Sequence, residues 1–105
     1  MRRQELPSLH VDVSRVYEPA DDTFLMLDAL AAEVHTMPRG IALEIGSGSG
    51  CLSIGLALAS KLGDDSASAS LHLAVDLSPD ANAATAANAA TNGVTLHVVQ
   101  MDLAA

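Results

Sequence analysis

The chain is poor in aromatic and basic side chains and nearly devoid of cysteine: one Phe, one Tyr, no Trp, one Cys, and five Lys or Arg against 13 Asp or Glu in 105 residues. Each shortage excludes something. One cysteine, Cys51, cannot close an internal disulfide and makes no zinc site without neighbouring ligands, so it reads as a small buried packing residue. The four histidines, His10, His35, His72 and His97, are scattered without ligand spacing, and no metal site is expected. A formal net charge of −8 excludes a basic nucleic-acid footprint; Arg2, Arg3 and Arg15 stand together only in a solvated N-terminal tail. No run approaches the ~18 apolar residues of a membrane span, and Met1-Arg2-Arg3 lacks the apolar stretch of a secretory signal, so a soluble intracellular chain is expected. Half the residues are hydrophobic, yet many are Ala. Such side chains bury little area each, so the core is expected to be thin and stability modest. Residues 1–15 read as a tail and 16–105 as one domain.

What the chain does have is concentrated at residues 43–50, LEIGSGSG, where an apolar strand runs into Glu44 and then into glycines at 46, 48 and 50. A residue without Cβ lets the backbone turn tightly and approach a bound molecule closely. The following residues, 51–58, carry apolar side chains at helical spacing, so the loop opens a helix whose free N–H groups face the glycines. This is a nucleotide-cofactor cradle. The dinucleotide pattern GxGxxG requires glycine at position 51, which is Cys. A carboxylate just before the loop also disfavours pyrophosphate and favours a cation.

Residues 71–76, LHLAVD, read as a second, buried parallel strand ending in Asp76, 26 residues after Gly50. Two carboxylate oxygens at that place match two vicinal ribose hydroxyls. Ser78-Pro79 starts a helix, with Ser as N-cap and Pro at the first helical position, and Asn92-Gly93 ends it. Along this Ala-rich helix a stripe including Asn82 and Asn88 is expected to face water. Residues 94–101 read as a third strand, ending in Asp102. Since the carboxyl ends of neighbouring strands in a doubly wound sheet line one crevice, Glu44, Asp76 and Asp102 are expected to converge there. Residues 63–70 form a low-complexity loop. Before the glycine loop, residues 16–30 read as a turn followed by an amphipathic helix with acids and Thr23 at its start and apolar residues at 24, 27, 30, 31 and 34.

The glycine loop resembles motif I of the class I S-adenosylmethionine-dependent methyltransferases, and VYEPADDTFLMLDAL resembles the N-terminal signature of the HemK-type glutamine methyltransferases, specifically the eukaryotic branch that modifies the class 1 release factor. With VDLSPDA and the closing MDL, the likeness runs from Val16 to Leu103. It implies an α/β fold, a partial Rossmann-like class I methyltransferase domain of three parallel strands in order 3-2-1 with crossover helices and an N-terminal helix. It implies S-adenosylmethionine as cofactor, with Thr23 at its amino-acid end, Tyr17 to Asp22 helping to close the pocket, Glu44 near the methionine end, Gly46, Ser47, Gly48 and Gly50 forming the cradle, Asp76 at the ribose hydroxyls, Leu77 also among the cofactor-binding residues, and Asp102 with the backbone of Leu103 at the adenine edge.

The family's substrate motif, Asn-Pro-Pro-Tyr, which holds the nitrogen to be methylated, does not occur in this chain. The expectation is therefore a truncated cofactor-binding half without catalytic residues and inactive alone. The resemblance further implies the translation release factor as substrate of the complete enzyme, in cytoplasm and nucleus. It also implies a small zinc-binding activator subunit contacting the edge segment 95–101, bounded by Thr95 and Met101. Three alternatives stay open: a non-catalytic cofactor- or partner-binding fragment, a methyltransferase acting on another nitrogen, and, against Cys51 and Glu44, an NAD-dependent enzyme.

Overall fold

The computed structural model describes residues 6–36, 40–62 and 71–102. The loop at 63–70, Leu103, Arg2 and Arg3 lie outside them. In chain order come helix α1 (Asp21–Glu33), a 3₁₀ turn (Val34–Thr36), strand β1 (Ile41–Ile45), helix α2 (Cys51–Leu62), strand β2 (Leu71–Asp76), helix α3 (Pro79–Thr91) and strand β3 (His97–Gln100). The three strands form one parallel sheet in the order β1-β2-β3, as expected. Ile41 to Ile45 pair in register with Leu71 to Val75, and Leu73 to Asp76 with His97 to Gln100. Strand β3 is shorter than the expected 94–101. Val94 N–H bonds back to Ala89 O at 3.1 Å and its side chain is buried under α3, so the chain reaches the sheet only at His97.

Side chains alternate across a strand, so paired residues share a face. Ala42, Glu44, His72 and Ala74 lie on the face that receives α2, since Ser53 of that helix bonds Glu44. On the opposite face of β1, Ile41, Leu43 and Ile45 are 68%, 54% and 66% exposed, which makes this an uncovered apolar face on an edge strand. The core is correspondingly small: Ile54, Ala57 and Leu58 of α2 meet Ala89 and Val94, with Leu9 and Leu96 packed against them. Both aromatic residues, Tyr17 and Phe24, are exposed.

Leu27 joins α1 to α2. It is 1% exposed, and a Cβ built on Gly55 of α2 would collide with its Cδ1. Glycine is there because Leu27 fills the space, not because the helix needs a flexible residue. Gly55→Ala is expected to destabilise the chain by about 1–3 kcal/mol, the usual range for overpacking a filled core. Thermal melting checks this, and an unchanged midpoint would show that Leu27 can shift freely.

The Asn stripe of α3 is corrected by the structure. Asn82 and Asn88 do not face water; they are 9% and 1% exposed, and Thr85 is 0% exposed, while Ala83, Ala86, Ala87 and Ala90 point outward. The helix is inverted, with polar residues inside, because its inner face meets backbone that needs hydrogen-bond partners.

Candidate functional site

The glycine loop is built as an extension of the sheet. After β1, the N–H groups of Gly46 and Ser47 both donate to Val75 O, at 2.7 and 3.2 Å, and Gly50 N closes a turn onto Ser47 O at 2.8 Å before α2 begins. Gly46, Gly48 and Gly50 have φ of +78°, +56° and +88°. Gly50 is the tightest of them: an added Cβ would stand 3.0 Å from Thr85 Cγ2 and 3.1 Å from Ile54 Cδ1, so α3 presses directly on the loop. At Gly46 and Gly48 the same atom would meet open space. That side of the loop faces a cavity of about 300 Å³.

Seven of the expected site residues line this cavity: Tyr17, Thr23, Glu44, Gly46, Ser47, Gly48 and Asp76. Gly50 lies behind it, against Thr85. Leu77 and Asp102 are exposed at the carboxyl ends of β2 and β3 and are not among its lining residues, so the structure brings Glu44 and Asp76 together and leaves Asp102 to one side. Pro19, Ser49, Cys51 and Leu52 also line the cavity. Ser49 and Cys51 could have been anticipated, as loop and first helical residues beside the glycines. Pro19 falls in the stretch 17–22 expected to help close the pocket, whereas Leu52 carried no such signal.

Asp76 organises the site. Its Oδ2 accepts Gly48 N–H at 3.0 Å, its Oδ1 accepts Ser78 N–H at 2.9 Å, and its backbone oxygen accepts Asn82 Nδ2 and Met101 N at 3.0 and 3.1 Å. One residue thus ties the loop, the start of α3 and the end of β3 together. Each carboxylate oxygen has a further lone pair for a ligand hydroxyl. Ser78 Oγ accepts Ala81 N–H at 3.3 Å as the expected cap.

Glu44 is partly buried and accepts a bond from Ser53 Oγ at 2.6 Å through Oε1. Burial pushes its carboxyl above the ordinary range, Ser53 draws it partly back, and the negative charge of Asp76 pushes it up further. A carboxylate desolvated in this way gains most from a cation placed beside it. Burial of Cys51 itself raises its thiol, with the charge of Glu44 adding to the effect, in keeping with a packing role. His72 is held below its usual value by burial, and its Nδ1 has no hydrogen-bond partner among the described residues, so it stands neutral. Thr23 Oγ1 accepts the N–H of Ala20 at 3.2 Å at the start of α1. Ala20 itself has no side-chain acceptor, so this is half of a capping box. The Thr23 hydroxyl hydrogen is not used by it.

Among the described residues the cavity lining contains two carboxylates and no Lys, Arg or His. It suits a ligand bearing positive charge and hydroxyls and repels one bearing phosphates. Two known proteins are similar to the chain over most of its length. A human protein, Methyltransferase HEMK2, is 45% identical over 91 residues, covering 86% of this chain and 40% of the human one; the mouse Methyltransferase HEMK2 is 44% identical over 89 residues, covering 84% and 39%. Over most of its own length the chain is similar to these HemK-type methyltransferases. It spans about two fifths of the length of these relatives. No protein-family model matches it. That similarity agrees with the α/β fold and parallel sheet. Among the described residues no group of three or more His, Cys, Asp or Glu could hold a metal ion, and no helix is long and apolar enough to cross a membrane.

Proposed function

We propose that this chain binds S-adenosylmethionine at the glycine loop as the methyl-donor module of a HemK-type protein methyltransferase. The observation that carries the reading is the composition of the cavity: a glycine loop turned through positive φ, two strand-end carboxylates and, among the described residues, no cationic side chain. The cofactor fits that donor set, since its amino-acid end carries an ammonium and its ribose two vicinal hydroxyls. Glu44 would take the ammonium, with Tyr17 and Thr23 beside it. Asp76 would take the ribose hydroxyls, with Leu77 next to it in the chain, and Asp102, at the adjoining strand end, the adenine side together with Leu103. When bound, the cofactor supplies an electrophilic methyl group on sulfonium. The chain's own residues bind and orient it; transfer then depends on holding the acceptor nitrogen in line, and positioning of that kind needs no metal and no covalent nucleophile.

The acceptor follows from the resemblance and not from the cavity. The reading is methylation at N5 of a release-factor glutamine, in cytoplasm and nucleus, with a small zinc-binding activator subunit at the edge around β3. His97 and Gln100, which bound β3, are exposed there. The sequence has no Asn-Pro-Pro-Tyr, so these 105 residues alone are expected to bind cofactor without turning over. Isothermal calorimetry with S-adenosylmethionine tests the first part. No heat of binding, with the fold intact by circular dichroism, would refute it. A turnover assay with release factor tests the second, and methylation by this chain alone would overturn the expected inactivity. A dinucleotide fits less well, since Cys51 occupies the third glycine position and both acids oppose pyrophosphate.

A further inference from the structure

The N-terminal segment and the glycine loop meet at one side chain. Asn88 in the last turn of α3 and Asn92 at its C-cap stand about one turn apart, and each clasps one residue of the segment through both its backbone groups. Asn92 Oδ1 accepts from Ser8 N at 2.8 Å while its Nδ2 donates to Ser8 O at 2.7 Å. Asn88 Oδ1 accepts from His10 N at 2.8 Å while its Nδ2 donates to His10 O at 3.1 Å. A primary amide presents a donor and an acceptor side by side, as the edge of a strand does, so the segment is held by its backbone whatever its side chains.

Asn88 differs from Asn92 in reaching the cradle. Its Nδ2 also donates to Ser49 O at 2.9 Å, and the side chain is 1% exposed. Both amide hydrogens and the carbonyl oxygen are therefore committed, two to the segment and one to the loop. Thr85, one turn earlier, donates to Gly48 O at 2.9 Å. Two successive loop carbonyls, those of Gly48 and Ser49, are thus tied back to α3. The segment continues through buried Val16 to Tyr17, which lines the cavity. It meets the site directly at Tyr17 and, through Asn88, the loop carbonyl of Ser49.

We propose that Asn88 is a positioning residue that couples docking of the N-terminal segment to the shape of the glycine loop, so that bound S-adenosylmethionine and the clasped segment stabilise one another. This rests on the cofactor reading above. If the segment is released, Asn88 loses its His10 partners in a buried place, and the amide that holds Ser49 O is free to turn; a buried polar group left underbonded is costly, so the two events occur together. Linkage requires the effect to be reciprocal: whatever factor the docked segment adds to cofactor affinity, the cofactor must add to segment docking.

Amide hydrogen exchange and calorimetry on the full chain test this. Saturating S-adenosylmethionine is expected to slow exchange at His10 by about fivefold or more, the lower end of ordinary coupling. Asn88→Ala is expected to weaken cofactor binding about tenfold and to remove that slowing. Thr85→Ala should weaken binding yet keep the slowing, because its bonds reach the loop alone. The coupling is overturned if the cofactor binds the unmodified chain and leaves His10 exchange unchanged, or if Asn88→Ala binds within about twofold of it. Failure of the unmodified chain to bind refutes the cofactor reading and the coupling with it. Should Asn88→Ala fail to fold, exchange on the unmodified chain decides by itself.

Discussion

Asp76→Ala is expected to weaken S-adenosylmethionine binding by about a hundredfold and to lower the melting temperature of the free chain as well. The two losses have separate origins. In the free chain the carboxylate accepts the N–H groups of Gly48 and Ser78, and an alanine leaves both without that partner in a partly buried place. Stranding a donor costs about 1–3 kcal/mol, which for a domain of this size is several degrees of melting temperature. In the complex the same carboxylate would hold two ribose hydroxyls, and hydrogen bonds to a charged group contribute about 1.5–3 kcal/mol each, so loss of even one or two accounts for the hundredfold. Asp76→Asn separates the effects. Its remaining oxygen can serve one of the two backbone donors, so stability should be partly retained while affinity still falls. Calorimetry beside thermal melting measures both. An alanine variant that binds within about threefold of the parent would remove Asp76 from the ribose and leave it a purely structural strand end.

The elements around Asp76 were the most legible part of the chain, because each was written in local chemistry. Ser78-Pro79 opens α3, Asn92-Gly93 closes it, and LHLAVD is the second strand with the limits 71 and 76. In those cases a cap, a turn or a run of apolar residues acts within a few positions. What could not be read depends on partners distant in sequence. An alanine-rich helix has little apolar contrast between its faces, so nothing local says which side is inward. The side carrying Asn82, Thr85 and Asn88 is buried because loop carbonyls and the backbone of residues 8–10 lie against it. The N-terminal segment is obscure for the complementary reason. Held through Ser8 and His10 backbone groups, it needs no side-chain periodicity and shows none. Arg15, read with a solvated tail, is 65% exposed at its side chain but stands 3.6 Å from an Asp12 oxygen and 3.7 Å from one of Asp80, a surface pairing of little energy. The cavity itself was legible through its glycines and two of the three strand-end acids expected there. Asp102 is offset because β3 is an edge strand whose end lies one strand farther from the loop than β2.

Glu44→Gln is expected to make the free chain more stable at neutral pH and to bind S-adenosylmethionine about 10- to 100-fold more weakly. The stability gain follows from the direction of the Glu44 shift. Burial, with help from Asp76, raises its folded-state pKa above the ordinary value of 4.5, so between the two values the folded chain holds more protons than the unfolded one. Stability from this group is therefore fully present below about 4.5 and is lost as pH rises through the raised value. Glutamine fits the same space, can still accept from Ser53, and carries no charge to desolvate, so its melting profile should be flatter across that window. Binding moves the other way. An ammonium beside Glu44 favours the ionised carboxylate, so affinity in the parent chain should rise with pH through the same window and a proton should be released on binding. The Gln variant loses a charge-assisted bond of about 1.5–3 kcal/mol, hence the 10- to 100-fold, together with that pH dependence. Calorimetry in buffers of different ionisation heat counts the proton directly. If the Gln variant binds as tightly as the parent, or keeps the parent's pH profile, the cation at the end of β1 is wrong and Glu44 is only a buried partner of Ser53.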